Sequence, residues 1–283
     1  MDIGIGLPNA VRGVDRRGIV DWAKRAENAG FSSLGTIDRI AYPNFESLIA
    51  LSAAAAVTDR IRLVTDILLA PLRTNPALFA KQAATIDQLS GGRLVLGLAP
   101  GGREDDYVVS GADFSGRGAD FDRQLDELKD LWGSESAVGP PPASGSRPAL
   151  LIGGSSGRAF RRAAQHADGW TMGGGTPDML AEARGALKGE WSKAGRDGDP
   201  RVVALFYFVL GEGAEAAARE SLGDYYAWLG EYAEQIVQGT AKDEETVKGY
   251  LSAFEQAGAD EVICFPASAD PDQVEMLARA ADL

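Results

Sequence analysis

Short apolar runs alternate with longer amphipathic stretches along the whole chain. The first run, Ile3 to Leu7, reads as a strand. After it Asp15 stands as an N-cap before Ile19, Trp22, Ala23 and Ala26, the i, i+3, i+4, i+7 spacing of a one-sided helix. Gly30 sits where a helix-ending glycine belongs. A second run, Ser32 to Ile37, precedes a helix from about Glu46 to Val57, and a third, Ile61 to Ile67, precedes a helix opening at Asn75-Pro76. A capping asparagine followed by proline at the first helical position is a start signal. The fourth run is Arg93 to Leu98, with a helix from about Ala119 to Leu131.

The stretch Gly133 to Pro148 is rich in Gly, Pro and Ser and reads as a loop inside one domain, because the alternation resumes after it. The fifth run is Ala149 to Ile152, with a helix over Gly157 to His166; the sixth is Gly169 to Met172, with a helix opening at Thr176-Pro177. The seventh, Val202 to Val209, precedes a long helical region from Ala214 to about Gln256, divided near Gly239 and Lys242-Asp243. The eighth is Glu261 to Phe265, and Asp270-Pro271 opens a last helix with Val274, Leu277, Ala278 and Ala281 on one face.

Eight strand–helix units, with strands apolar on both faces, predict an α/β fold: a single-domain (β/α)8 TIM barrel over residues 1–283. An open doubly wound sheet is the competing architecture. It would favour a glycine-rich turn after the first strand, where this chain has Pro8-Asn9.

Composition narrows the function. A net charge of −13 makes nucleic acid and membrane surfaces poor partners. One cysteine, Cys264, allows no internal disulfide, and with a single histidine it leaves no metal site beyond carboxylates. No basic and apolar leader opens the chain, and the longest apolar run, near Ile49 to Val57, is about half a membrane span. A cytoplasmic location is the expectation.

In a barrel of this kind chemistry sits at the C-terminal ends of the strands. His166 ends a helix, so it is expected at the opposite face, where it complements the helix dipole. Three clusters follow strands. Gly153, Gly154, Ser155 and Ser156 join a strand to a helix start, where backbone N–H groups can hold an anion. Gly97, Pro100, Gly101 and Gly102, followed by Arg103, Glu104, Asp105 and Tyr107, offer a close approach for a flat ring and carboxylates for proton transfer; a solvated loop is the alternative. Asp38, Arg39 and Tyr42 follow the second strand, either as charges paired with each other or with neighbours, or as groups recognising cofactor or substrate.

These clusters, in this order, resemble the luciferase-like monooxygenase family. The matching segments are FSSLGTIDR, the run from Ala53 to Arg103 containing RIRLVTDILLAPLRTNPALFAKQAATIDQLSGGRLVLGLAPGGR, then RGADFDRQLDELKDLW and LLIGGSSGRAFRRAAQHADGW. The resemblance implies a barrel binding FMN or, alternatively, coenzyme F420, with the phosphate on Gly153 to Ser156 and Gly97 to Gly102 flanking the ring. It places a strand bulge with a non-prolyl cis peptide near Thr65-Asp66, behind the ring. It further implies a small-molecule substrate, allows a homodimer, and, with FMN, calls for a separate flavin reductase. On this basis Asp38, Arg39 and Glu104 are the catalytic candidates, and Tyr42 and Tyr107 face substrate. The chain departs from some relatives in carrying Arg39 where they place a histidine, and Gly102 where some F420 enzymes place a glutamate. The expected activity is FMN-dependent monooxygenation; F420-dependent hydride transfer and a non-catalytic flavin-binding barrel are the alternatives.

Overall fold

The eight apolar runs form eight parallel strands: β1 (Asp2–Gly6), β2 (Ser33–Thr36), β3 (Arg62–Leu69), β4 (Leu94–Ala99), β5 (Ala149–Gly153), β6 (Gly169–Met172), β7 (Arg201–Phe208) and β8 (Glu261–Pro266). They pair in chain order and close, β1 against β8, with Ile3 opposite Val262. The computed structural model describes residues 1–133 and 136–283. Each strand returns through helices on the outside: α1 (Arg16–Ala29), α2 (Ser47–Ala55), α3 (Pro76–Ser90), α4 (Glu104–Ser110), α5 (Arg117–Leu131), α6 (Gly157–His166), α7 (Pro177–Lys193), α8 (Ala214–Tyr225), α9 (Glu231–Gln238), α10 (Glu244–Ala257) and α11 (Gln273–Ala280).

The start and stop signals act as their chemistry dictates. The side chains of Asp15, Asn75 and Thr176 accept from Gly18, Leu78 and Met179 N–H groups, and Gly30 closes α1 at φ 93°. Elsewhere the chain departs from expectation. The charged loop after β4 is a helix, α4, whose first turn carries Glu104, Asp105 and Asp106 where the helix dipole favours negative charge. The long region after β7 breaks not only near Gly239 but also at Tyr226–Gly230, where Ala227–Leu229 tighten into a 3-10 turn. The last helix begins at Gln273 rather than at Asp270-Pro271.

Apolar residues fill both sides of the barrel wall. Outside, a continuous core joins the strands to the helices. Inside, Val64, Leu151, Val203, Leu205, Ile263 and Phe265 pack together. Gly6 and Gly35 make room for the Phe265 ring, since a Cβ on either would lie 2.3 and 2.8 Å from it.

The N-terminal end of the barrel is closed by a charge network. Glu261 is buried; its Oε1 accepts from Ser32 and Ser33 hydroxyls at 2.6 Å each and from Arg62 at 3.2 Å, and its Oε2 from Arg201 at 2.8 Å. His166 ends α6, half-buried, 4.0 Å from Asp126, as its place in the chain predicts; burial lowers its pKa.

Candidate active site

The C-terminal end of the barrel is built around an irregularity in β3. Thr65 pairs with Leu96 and Leu68 with Leu98, so β3 carries one more residue than β4 over this stretch. Such a bulge re-aims side chains. The peptide between Asp66 and Ile67 is cis, one residue beyond the expected position. Two glycines accommodate the bulge. A Cβ on Gly97 would sit 2.1 Å from the Thr65 carbonyl oxygen, and one on Gly153 would sit 2.2 Å from Ile67 Cδ1. Both were expected to make room for a cofactor; the structure gives them a packing reason to be glycine.

The bulge turns Asp66 into the barrel. Its Oδ1 accepts from the Thr171 hydroxyl at 2.8 Å, whereas Oδ2 has no partner although it is buried. Burial pushes its pKa up to about 7; the Thr171 hydrogen bond opposes that rise and the charge of Glu261 adds to it. A carboxyl that changes charge near neutrality in a cleft is a candidate for proton transfer.

Asp66 lines a cavity of about 170 Å³ together with Ile37, Asp38, Arg39, Ile67, Gly102 and Tyr207. Thus the residues after β2 and β4 meet at the rim, as the strand-end rule requires. Of the alternatives the sequence leaves open, the contacts show pairing with neighbours. Asp38 and Arg39 do not pair with each other. The Asp38 carboxylate accepts from Leu69 N–H at 2.9 Å and from Arg73 at 3.0 Å, which pins the end of β3. Arg39 donates from Nε to Asp106 at 2.6 Å and from Nη2 to Asp105 at 2.9 Å, with its guanidinium 5.7 and 5.6 Å from the centres of the Tyr42 and Tyr225 rings. Asp106 in turn accepts from the backbone N–H groups of Ile40 and Ala41 at 2.8 and 2.7 Å.

This is no surface ion pair. Removing Arg39 would strand a fully buried carboxylate, and such losses cost about 3–5 kcal/mol. One nitrogen, Nη1, is left buried without a hydrogen-bond partner. Arg39 belongs to the cavity wall.

Glu104 is exposed at the start of α4 and is not on the cavity wall. Tyr42 donates to Asp224 at 2.7 Å and ties the β2–α2 loop to α8. Tyr107 is buried against Leu69 and Leu72, its hydroxyl donated to the Pro100 carbonyl. Neither tyrosine is on the wall of this cavity. Gly101, at φ 76°, and Gly102 do line it, and a Cβ on Gly102 would meet nothing within 4 Å.

The β5–α6 turn is next to the cavity through Ile67. Gly154 is at φ 107°, its carbonyl accepts from Trp170 Nε1 at 2.7 Å, and Ser155, Ser156 and Gly157 are exposed. Ser156 caps α6, accepting from Ala159 N–H at 3.3 Å. A Cβ at Gly157 would touch nothing within 4 Å. An exposed helix start with two hydroxyls and no side-chain obstruction suits a phosphate.

Sequence reasoning missed two contributors. Gly173, Gly174 and Gly175 follow β6, the latter two at φ 120° and 138°; the triplet MGGGT was the available signal. Tyr225 and Tyr226 roof the cavity, and the Tyr226 hydroxyl lies 2.7 Å from that of Tyr207. Burial raises the pKa of both members of this pair.

Comparison with known proteins places this arrangement. The profile described as luciferase-like monooxygenase matches residues 1–281. An uncharacterized protein of Mycobacterium tuberculosis, Rv0940c, is 32% identical over 223 residues, covering 66% of this chain and 77% of that one. Among solved structures, the monooxygenase RslO1 from Streptomyces bottropensis superposes with a TM-score of 0.82 at 19% identity, covering 99% of this chain and 98% of its own. An F420-dependent secondary alcohol dehydrogenase superposes with a TM-score of 0.81 at 18% identity, covering 99% and 97%. The last two likenesses establish the fold. The match of the family profile over nearly the whole length establishes descent: this chain belongs to the luciferase-like monooxygenase family.

Proposed function

We propose that this protein is a flavin-dependent oxidoreductase, reading FMN as its cofactor and monooxygenation of a small organic molecule as its reaction. The observation that carries the proposal is the pair of unsatisfied buried polar atoms, Asp66 Oδ2 and Arg39 Nη1, on residues of one cavity at the strand C-termini. Buried polar groups without partners are costly, and two of them on the wall of one cavity give a polar ligand both an acceptor and a donor to complete. The donor set fits a flavin: Gly101 and Gly102 would let a flat ring approach the backbone, and the Gly154–Ser156 turn would hold its phosphate.

Reduced flavin, when bound, supplies the electrons for oxygen activation; a separate reductase would have to deliver it. This chain supplies the rest. Asp66 would hold or release a proton near neutral pH at Oδ2. Arg39 would direct a fixed positive charge from Nη1 toward an electron-rich ligand edge. Tyr225 and Tyr226 would exclude water from above.

Hydride transfer with F420 is the second reading. The near-neutral pKa of Asp66 favours it specifically, because reducing a carbonyl needs a proton donor beside the hydride acceptor. Titrating the purified protein with FMN and with F420, followed by absorbance and calorimetry, separates these. Binding of FMN alone supports the first reading, and binding of F420 alone the second. If neither binds, both readings fail and a barrel without this cofactor chemistry is left.

A further inference from the structure

A second, larger cavity of about 470 Å³ opens beside the first, and Gly173, Leu205, Tyr207 and Tyr226 belong to both walls. It lies between the β6–α7 turn, the Tyr226–Gly230 break and α9, reaching down to Phe206 on β7 and Phe254 on α10. Its size is in the range of sites for drug-sized ligands. The lining is unusual for so acidic a protein. Phenylalanine, tyrosine, tryptophan, leucine, isoleucine and methionine side chains dominate, and among the described residues no Asp, Glu, Lys or Arg contributes. Much of the polar capacity is already used: the Tyr207 and Tyr226 hydroxyls bond to each other, and Tyr250 donates to the Gly239 carbonyl at 3.0 Å.

The mouth carries the same chemistry. Met179, Trp228 and Tyr232, from α7, the break and α9, are 52%, 49% and 53% exposed and all belong to the wall. Large apolar side chains converging from separate elements on a concave surface mark a binding site rather than random exposure.

Resting on the flavin reading above, we propose that this cavity binds the substrate, and that the substrate is a neutral, planar aromatic molecule of two or more fused rings. Its reacting edge would pass Tyr207 and Tyr226 toward the Asp66 cavity. Neutrality follows from the wall, which offers a buried charge no partner. Planarity follows from the aromatic sides, which reward offset and edge-to-face ring contacts beyond simple burial. Aromatic walls can also attract cations. Here one face of the Trp228 ring is already taken by the Arg103 guanidinium at 4.9 Å, whose charge is paired with Asp105 at 2.9 Å, so that face is closed to a ligand cation.

The test uses the protein without cofactor, so that it stands apart from the flavin reading. Calorimetry with 2-naphthol, 2-naphthoate and a naphthyl trimethylammonium salt compares neutral, anionic and cationic forms of one ring system. The expected result is saturable 1:1 binding of 2-naphthol, with both ions weaker by about tenfold or more, the equivalent of ~1.4 kcal/mol. Trp228→Ala and Tyr232→Ala, at half-exposed positions, should each weaken 2-naphthol binding several-fold while the melting temperature stays unchanged. Equal affinity for all three probes, tightest binding of the cation, or unchanged affinity in both variants would overturn the proposal. So would displacement of 2-naphthol by FMN or F420 in simple competition, since the cavity would then belong to the cofactor. Failure of both cofactors to bind, with 2-naphthol still selected, would remove the flavin reading and leave the aromatic site.

Discussion

The two ends of the barrel each bury a carboxylate, and the chain treats them in opposite ways. At the N-terminal end Glu261 loses its water, which by itself raises its pKa. Two serine hydroxyls, Arg62 and Arg201 more than compensate, and the pKa falls below the usual glutamate range. At the C-terminal end Asp66 has one hydroxyl and no cation, and its pKa rises to about 7. Desolvation acts on both; the number of donors decides the sign. The first carboxylate is finished by the fold. The second is left incomplete at the rim where ligands enter, which is where unused polarity has functional value.

The difference can be attacked from either end. The largest effect is expected from Asp66→Asn under the flavin reading: turnover should drop by about 10²–10⁴, and the limb of the pH–rate profile near 7 should disappear. Unchanged turnover would remove Asp66 from proton transfer. The same variant sharpens the contrast through stability. A folded-state pKa raised above the unfolded value contributes most at low pH, and that contribution is lost as pH rises through about 7. The rise from 3.8 to about 7 corresponds to a destabilisation on the order of 4 kcal/mol above neutrality. Asp66→Asn should therefore raise the melting temperature at pH 8 and leave it nearly unchanged near pH 4.

Glu261→Ala should do the reverse. It leaves the buried Ser33 hydroxyl without its acceptor and leaves Arg62 and Arg201 with Asp2 alone, and should cost about 1–3 kcal/mol in urea denaturation at pH 7. Because the folded pKa of Glu261 is depressed, its stabilisation is present above the ordinary glutamate range and fades as pH falls below it. Wild type and variant should converge in acid. Parallel pH–stability curves for the two proteins would show that the network does not hold that end.

A third comparison sets two glycines on β4 and its loop against each other. Gly97→Ala drives a methyl group 2.1 Å from a backbone oxygen and should cost about 1–3 kcal/mol or more, whereas Gly102→Ala meets open space and should melt like wild type. Equal melting temperatures would mean that the bulge yields. The smallest effect is expected from Ser156→Ala, which removes the α6 cap at about 1 kcal/mol and should weaken inorganic phosphate binding in calorimetry. Undiminished phosphate affinity would move the phosphate elsewhere.

How much of this was written in the sequence depends on the range of the interaction. Strands and most helix limits rest on neighbours a few residues apart, and the caps at Asp15, Asn75 and Thr176 could be read directly. The unions that shape the site are long-range. Arg39 meets Asp106 across 67 residues, and Asp38 meets Arg73 across 35. A run of charges offers several partners, and only the closed barrel selects among them. Gly97 and Gly153 were visible but ambiguous, since a glycine that admits a neighbouring strand looks the same as one that admits a ligand. The break at Tyr226–Gly230 was hidden because Tyr and Trp oppose a helix only weakly. The second cavity depends on that break for Tyr226, Trp228 and Leu229.

The extra residue in β3 also has a consequence for how such a site can change. The bulge that aims Asp66 inward rests against two neighbours without side chains: Gly97 faces the Thr65 carbonyl, which has no room to give, and Gly153 faces the end of the Ile67 side chain. A library that randomises these positions one at a time should find Gly97 on β4 the least replaceable, whatever the substrate sought. The Tyr226–Gly230 break and the first turn of α9 carry no such interlock. New specificities in this scaffold should arise from the upper wall, with the floor inherited intact.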